Sequence, residues 1–399
     1  MTIQQFLTFD FSPLVWALAG TALLCGILII CLFIPRIRRV ANKANHDDEA
    51  PIPTDGYPSV SVIVYSQGDG WNLRNLLVQI LEQDYPAPME VIVVNDENAD
   101  STEDVVSELE LKYRNLYMTF APEQSRNLSR KKLSITLGPK AARYDNVILT
   151  CGNCNIPSPL WLRLMMRHFI DGKEIVIGHS TLRPTEDAKT RQLSRTASFD
   201  AQWSATRALS AAIAGHPFMG DACNIAYSRR LFFENKGFSK TLNLIYGDDD
   251  IFINEITDRH NTAVELSPDS RVESLDPNIR YIHTVLKQRR LFTSTFLPRS
   301  PYLMMGLISV LSWCMLLSAI AASLLALPSL IIAAAMLILL PAICIPVMIS
   351  WRRTARALGL RPLFTTQPFL TLWHPIYNLR YRLRLRRTRN ENYTWSQKI

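Results

Sequence analysis

Three charge-free apolar runs constrain this chain more than any other feature. They are Leu14–Ile34, bracketed by Pro13 and Pro35, then Leu303–Leu327, then Ser329–Ser350. A helix crosses a bilayer with about 20 apolar residues, and each run is long enough. Runs of this length without charge are rare in soluble cores, so each is expected to span a membrane. The first is expected to be an anchor rather than a cleaved leader. No basic residue precedes it, it exceeds the length of a leader's apolar segment, and no small-x-small site follows. Only Pro328 separates the second run from the third, which predicts a tight hairpin.

The placement of Lys and Arg sets the orientation. Residues 1–12 contain neither, whereas Arg36, Arg38, Arg39 and Lys43 follow the first run. Arg289, Arg290 and Arg299 precede the second, and Arg352, Arg353 and Arg356 follow the third. The expected protein is integral to the inner (cytoplasmic) membrane. Its N-terminus lies outside, and its middle and C-terminus lie in the cytoplasm.

The net charge of +8 fits the same picture. Arg380, Arg382, Arg384, Arg386, Arg387 and Arg389 alternate with Tyr381, Leu383 and Leu385, a pattern that suits anionic membrane lipids rather than nucleic acid. Phe364–Leu379, with Pro368 and Pro375, is expected at the membrane interface instead of forming a fourth span. Cys25, Cys31, Cys314 and Cys344 fall within spans. Cys151, Cys154 and Cys223 remain, in a region where disulfides are unusual.

These features divide the chain into an anchor (1–39), a polar linker (40–57), a cytoplasmic domain (58–297), the hairpin (298–351) and a basic interfacial tail (352–399). Within the domain, strands and helices alternate. Strands are predicted at Val60–Val64, Val91–Val94, Leu116–Phe120 and Val147–Leu149, with helices between them. This order implies an α/β domain with a mostly parallel sheet. Ligands then bind at the carboxyl ends of the strands. The residues found there are Ser66–Asp69, Asn95-Asp96 and Cys151-Gly152-Asn153. No G-x-G-x-x-G follows the first strand, so an organic dinucleotide cofactor is not indicated.

Asp248, Asp249 and Asp250 follow Gly247 and open an apolar helix. Acids there complement the helix dipole, and a carboxylate there can also serve as general base. Lys131 and Lys132 open another helix, where they can be solvated or pair with a diphosphate. Gln288, Arg289 and Arg290 lie just before the second span and could hold phosphate or an anionic acceptor. Cys151-x-x-Cys154 is half of a zinc site, which Cys223 and a histidine such as His216 or His283 could complete. A redox pair would instead sit at a helix N-terminus.

Six strings now resemble family-2 glycosyltransferases, inverting enzymes of the GT-A fold. They are Pro58–Val64, Glu82–Pro86, Glu90–Asp96, Arg130–Leu133, Gly220–Asn224 and Gly247–Asp250, in the family's order. The resemblance covers about residues 58–295. It implies a GT-A-type mostly parallel sheet flanked by helices, to which the apolar runs add one N-terminal transmembrane helix and a C-terminal transmembrane hairpin.

The resemblance also implies a nucleotide-sugar donor, with Asp69, Asp96 and Lys132 on its side of the cleft. Asp249, with Asp248 beside it, matches the catalytic base. Arg289, Arg290 and Gln288 loosely match a basic motif for acceptor or phosphate, without the Q-x-x-R-W string of processive synthases. The implied acceptor is lipid-linked or another glycan at the membrane, as in cell-envelope polysaccharide biosynthesis, with partner glycosyltransferases alongside. Three spans are too few for a polymer channel. In the family the fourth strand ends in Asp-x-Asp, which holds a divalent metal, Mg²⁺ or Mn²⁺. Here Cys151 and Asn153 stand in those places, with His283 as an auxiliary candidate, so a weakened metal site is expected and the C-x-x-C spacing reads as incidental. The alternative expectation is a catalytically inactive scaffold or partner subunit.

Overall fold

Val, Ile and Tyr suit a pleated, buried surface, and Val60–Ser66 is buried throughout its length as the first strand, β1. The structure, a computed structural model, describes residues 11–68, 70–96, 100–122, 129–327 and 329–394. The further strands are β2 (Met89–Asn95), β3 (Leu116–Phe120), β4 (Asn146–Cys151), β5 (Cys154–Asn155), β6 (Ile175–Ile177), β7 (Ser180–Pro184), β8 (Ile225–Ser228), β9 (Thr262–Val264) and β10 (Val272–Asp276). Helices Gly70–Leu81, Asp100–Glu110 and Arg130–Ala141 connect the first four, as the alternating pattern predicts.

The main sheet has the order β3-β2-β1-β4-β8-β6-β9. Among its described strands, β8 alone runs against its neighbours. A smaller sheet has the order β5-β10-β7. The chain divides into two units. One comprises residues 42–194, 211–298 and 381–399 and contains both sheets. Its core joins Val62 and Val64 of β1, Val91 and Val93 of β2, Leu76 and Trp161.

The other unit comprises residues 1–41, 195–210 and 299–380. Helices Pro13–Glu49, Arg299–Leu325 and Ile331–Ala357 are each long and apolar enough to cross a membrane. An aromatic cluster sits within this unit. Trp351, fully buried, stacks on Phe199 at 4.9 Å between ring centroids, and Phe33 and Trp203 join it. Phe199 and Trp203 are four residues apart on the helix Arg195–Ile213, which places them on one face. The Gln202 amide donates to the Trp351 carbonyl at 2.7 Å.

One boundary differs from expectation. The linker 40–57 is helical in its first half, because the first helix continues to Glu49. No Gly or Pro interrupts residues 36–49, and Asp47 is held by an ion pair with Lys43 and by the Leu266 amide at 3.0 Å. Gln367–Thr388, which includes Pro368 and Pro375, is one helix. Pro368 falls in its first turn, where a missing N–H costs nothing. Beyond that helix the chain packs back onto the sheet-bearing unit. The Ile245 amide donates to the Asn392 carbonyl and the Thr394 amide to the Asn243 carbonyl, each at 3.0 Å. Tyr393 packs edge-on against Phe292.

Candidate active site

The parallel register sets Ser66 beside Asn95 and Tyr65 beside Cys151, so one end of the sheet collects the polar residues that end β1, β2 and β4. Asp96, just past β2, is 1% exposed yet fully engaged. The Tyr65 hydroxyl donates to its Oδ2 at 2.6 Å, and Ser134 Oγ and Arg130 Nε donate to its Oδ1 at 3.2 Å. Burial and the Asp96 carboxylate push the Tyr65 phenol far above its ordinary range. Sequence reasoning missed Tyr65, Arg130 and Ser134 as partners of Asp96. A tyrosine at the carboxyl end of a buried strand was the available signal. Asp69 lies outside the described residues.

Gly247 has φ of +108°, a conformation that side chains other than glycine's rarely adopt, and it turns the chain into the three acids. Asp250 caps the helix Ile251–Ile256, its Oδ1 accepting from the Ile251 amide at 2.7 Å. Asp248 is ion-paired on both sides, with Arg289 at 2.6 Å and Lys131 at 2.7 Å. Arg289 also contacts Asp249 Oδ1 through the same nitrogen. The Asp248 side chain is 2% exposed and that of Asp249 is 17% exposed, so Asp249 is the acid a substrate could reach.

The electrostatics separate the three acids. Burial alone would raise Asp248, but Arg289 and Lys131 outweigh it and hold the carboxyl well below the usual carboxylate range. Asp249 is raised to about 6 by burial, with Asp248 and Asp250 reinforcing this against the pull of Arg289. Burial also raises Asp250. Neighbouring carboxylates with divergent proton affinities are the usual arrangement for dividing acid–base roles.

The basic residues are distributed differently from expectation. Lys132 is buried and does not face the cleft. Its Nζ donates to the carbonyls of Thr241 at 2.6 Å and Leu244 at 3.0 Å, and burial pulls its pKa down to about 8. It ties down the loop that leads to Gly247, while Lys131 reaches the acids. Arg289 is committed to the carboxylates. Gln288 and Arg290 flank it on the helix Ile279–Thr293, each partly buried.

At the end of β4 the three cysteines come together. Cys151, Cys154 and Cys223 place their sulfurs within 4.8 Å of one another, with Cys151 and Cys223 at 3.3 Å. Hydrogen bonds from the other two thiols pull the Cys151 thiol well below its ordinary range, while Cys154 and Cys223 are pushed up. The C-x-x-C spacing thus puts both of its sulfurs in one cluster with Cys223. His283 is buried on its helix and is not part of this group, nor is His216.

These residues do not fit a hard divalent ion. Mg²⁺ and Mn²⁺ favour oxygen donors. The β4 end offers thiols and Asn153, whose amide nitrogen already donates to Leu275 O at 3.0 Å and Ser274 Oγ at 3.3 Å.

Asn72 organises this turn. Its Nδ2 donates to the carbonyls of Cys154 at 2.6 Å and Gly152 at 3.1 Å. Asn72→Ala would leave both without that partner, at a cost of about 1–3 kcal/mol. A lowered midpoint in thermal unfolding is the expected result, and an unchanged midpoint would contradict this role.

A mostly parallel sheet with one reversed strand, and an acid–arginine cluster beside its strand ends, make up a fold of the GT-A type. Residues 59–234 match the family model described as glycosyl transferase family 2. No curated protein matches the chain. Among solved structures it is similar to the mannosyltransferase PcManGT from Pyrobaculum calidifontis in complex with GDP-Man and Mn²⁺. That match has 18% identity and a TM-score of 0.52, covering 92% of this chain and 99% of that one. GalNAc-T7 with UDP, GalNAc and Mn²⁺ has 13% identity and a TM-score of 0.39, covering 56% of this chain and 44% of that one. S. aureus TarS 1-349 has 14% identity and a TM-score of 0.38, covering 84% and 91%.

Proposed function

We propose that this enzyme transfers a sugar, with inversion, from a nucleotide-diphosphate donor to a lipid-linked or membrane-proximal acceptor in cell-envelope polysaccharide assembly. The observation that carries the reading is Asp249. It is the most exposed of the three acids, and its pKa of about 6 suits a base that is ionised at neutral pH yet still takes up a proton. Asp249 removes the acceptor hydroxyl proton as the oxygen attacks the anomeric carbon. The bond from that carbon to the diphosphate breaks on the opposite side, and the nucleoside diphosphate leaves with the electron pair. Asp248 keeps its charge and, through Arg289, fixes the orientation of Asp249.

On the donor side, Asp96 with its Tyr65 and Arg130 partners is our candidate for the nucleoside, together with Asp69. Arg290 is our candidate for the diphosphate. We place the catalytic domain in the cytoplasm, beneath an inner membrane held by the three apolar helices and the arginine-rich tail. No step is routed through Mg²⁺ or Mn²⁺, because the strand-end residues do not fit a hard divalent ion.

The test is nucleoside diphosphate release by the full-length chain in detergent, with a panel of nucleotide sugars and lipid-phosphate acceptors, between pH 5 and 8. The base must be ionised, so the rate should climb about tenfold per pH unit below 6 and level off above it. A flat profile through pH 6 would remove Asp249 from the role. Failure of every donor to be consumed would overturn the transfer reaction.

A further inference from the structure

We infer that Cys151, Cys154 and Cys223 form a binding site for a soft, thiophilic metal ion of the Zn²⁺ class at the end of β4. This inference stands apart from the transfer reaction, since it concerns what the thiols hold and not what the acids do.

The topology brings these residues together from three places. In the antiparallel pairing of β4 with β8, Leu149 lies opposite Ile225. Cys151 ends β4 and Cys223 lies in the turn just ahead of β8, so the pairing leaves their sulfurs 3.3 Å apart. Cys154 opens β5, which turns back to pair with β10. The three sulfurs thus converge from separate segments to within 4.8 Å of one another.

Thiolates about 2.3 Å from a shared tetrahedral ion lie about 3.8 Å apart, so the Cys151–Cys223 separation of 3.3 Å has to widen by about half an ångström to complete the geometry. A disulfide would use two sulfurs at about 2.05 Å and leave the third unused. Asn153 Oδ1, 4.0 Å from Cys154 Sγ, is at hand as a neutral fourth donor.

The backbone around the site is held in place, as metal sites require. Asn72 binds the carbonyls of Gly152 and Cys154, and the Gly152 amide donates to the Tyr65 carbonyl at 2.7 Å. Asp221 Oδ1 accepts from the Cys223 amide at 3.1 Å, and the Asp221 carboxylate is itself fixed by Ser180. Thiolates select Zn²⁺ or Cu⁺ over the Mg²⁺ and Mn²⁺ that carboxylates would take. The cysteines therefore change the kind of ion this strand end can hold.

The experiment is spectroscopic. The full-length chain is purified in detergent under anaerobic reducing conditions, stripped with a chelator and titrated with Co²⁺. The expected result is a thiolate-to-cobalt charge-transfer band that saturates at a single ion per chain, is displaced by Zn²⁺, and is unaffected by excess Mg²⁺ or Mn²⁺. Cys223→Ser should weaken Co²⁺ binding by at least about tenfold. A variant with Cys25, Cys31, Cys314 and Cys344 all replaced by Ala should bind as the parent does. The parent measurement does not depend on any variant folding. Absence of the band in the parent would overturn the site. So would a band that survives Cys223→Ser but is lost in the four-alanine variant. Mass-spectrometric detection of a Cys151–Cys223 disulfide in protein alkylated at harvest would also replace the metal reading with a redox one.

Discussion

Asp249→Asn is expected to lower turnover about 100- to 10,000-fold, the range contributed by a positioned general base. The substitution keeps size and shape. The Asn oxygen can still accept from Arg289, so the packing around Asp248 should survive. What is lost is the ability to take the acceptor proton. The rate should fall while donor affinity, measured by calorimetry on the same variant, changes little. Any residual activity should also lose its inflection near pH 6, because the group responsible is gone. Activity within tenfold of the parent would show that another base operates. Equal losses in donor binding and turnover would point to a collapsed site instead.

Arg289→Met is expected to give the largest loss of stability. The guanidinium contacts Asp248 and Asp249, and its charge also acts on Asp250. Methionine fills much of the volume but leaves buried carboxylates short of a cation. Removing one partner of a buried ion pair costs about 3–5 kcal/mol. For a domain of this size that corresponds to a fall of roughly 10 °C in the unfolding midpoint.

The pH dependence has a definite sign. Asp248, held below its unfolded value, contributes stability above about pH 4 that is lost as pH falls through its folded pKa. Asp249 is raised to about 6, so the domain loses stability as pH rises from about 4 to 6. In the Met variant the acids protonate more readily, so its deficit should shrink as pH falls from 7 to 5. Arg289→Met combined with Asp248→Asn should recover part of the loss. A midpoint for Arg289→Met within 2 °C of the parent would contradict this account.

The candidate site was only partly legible in the chain. Asp248 and Asp249 could be picked out because Gly-Asp-Asp-Asp before an apolar helix is a local signal. Their control by Arg289 could not, because that residue lies 40 positions away and its neighbouring arginines read equally well as membrane-flanking charge. Local pattern reads Lys131 and Lys132 alike, and the resemblance put Lys132 on the donor side. The helical turn sends Lys131 to Asp248 and Lys132 inward to two carbonyls.

The same division holds for the fold. Three membrane-length helices and the alternating β1 to β4 could be read directly. Buried parallel strands are continuous apolar runs, and a bilayer demands long ones. The small sheet of β5, β7 and β10 could not, since its strands are short, polar and paired only with distant partners. Cys151 and Cys223 are 72 positions apart, and only the antiparallel register of β4 and β8 makes them neighbours. Local pattern and solvent preference are written along the chain. Which charges and thiols share a pocket is settled by strand register and helix placement, because those interactions act through space between residues the sequence keeps far apart.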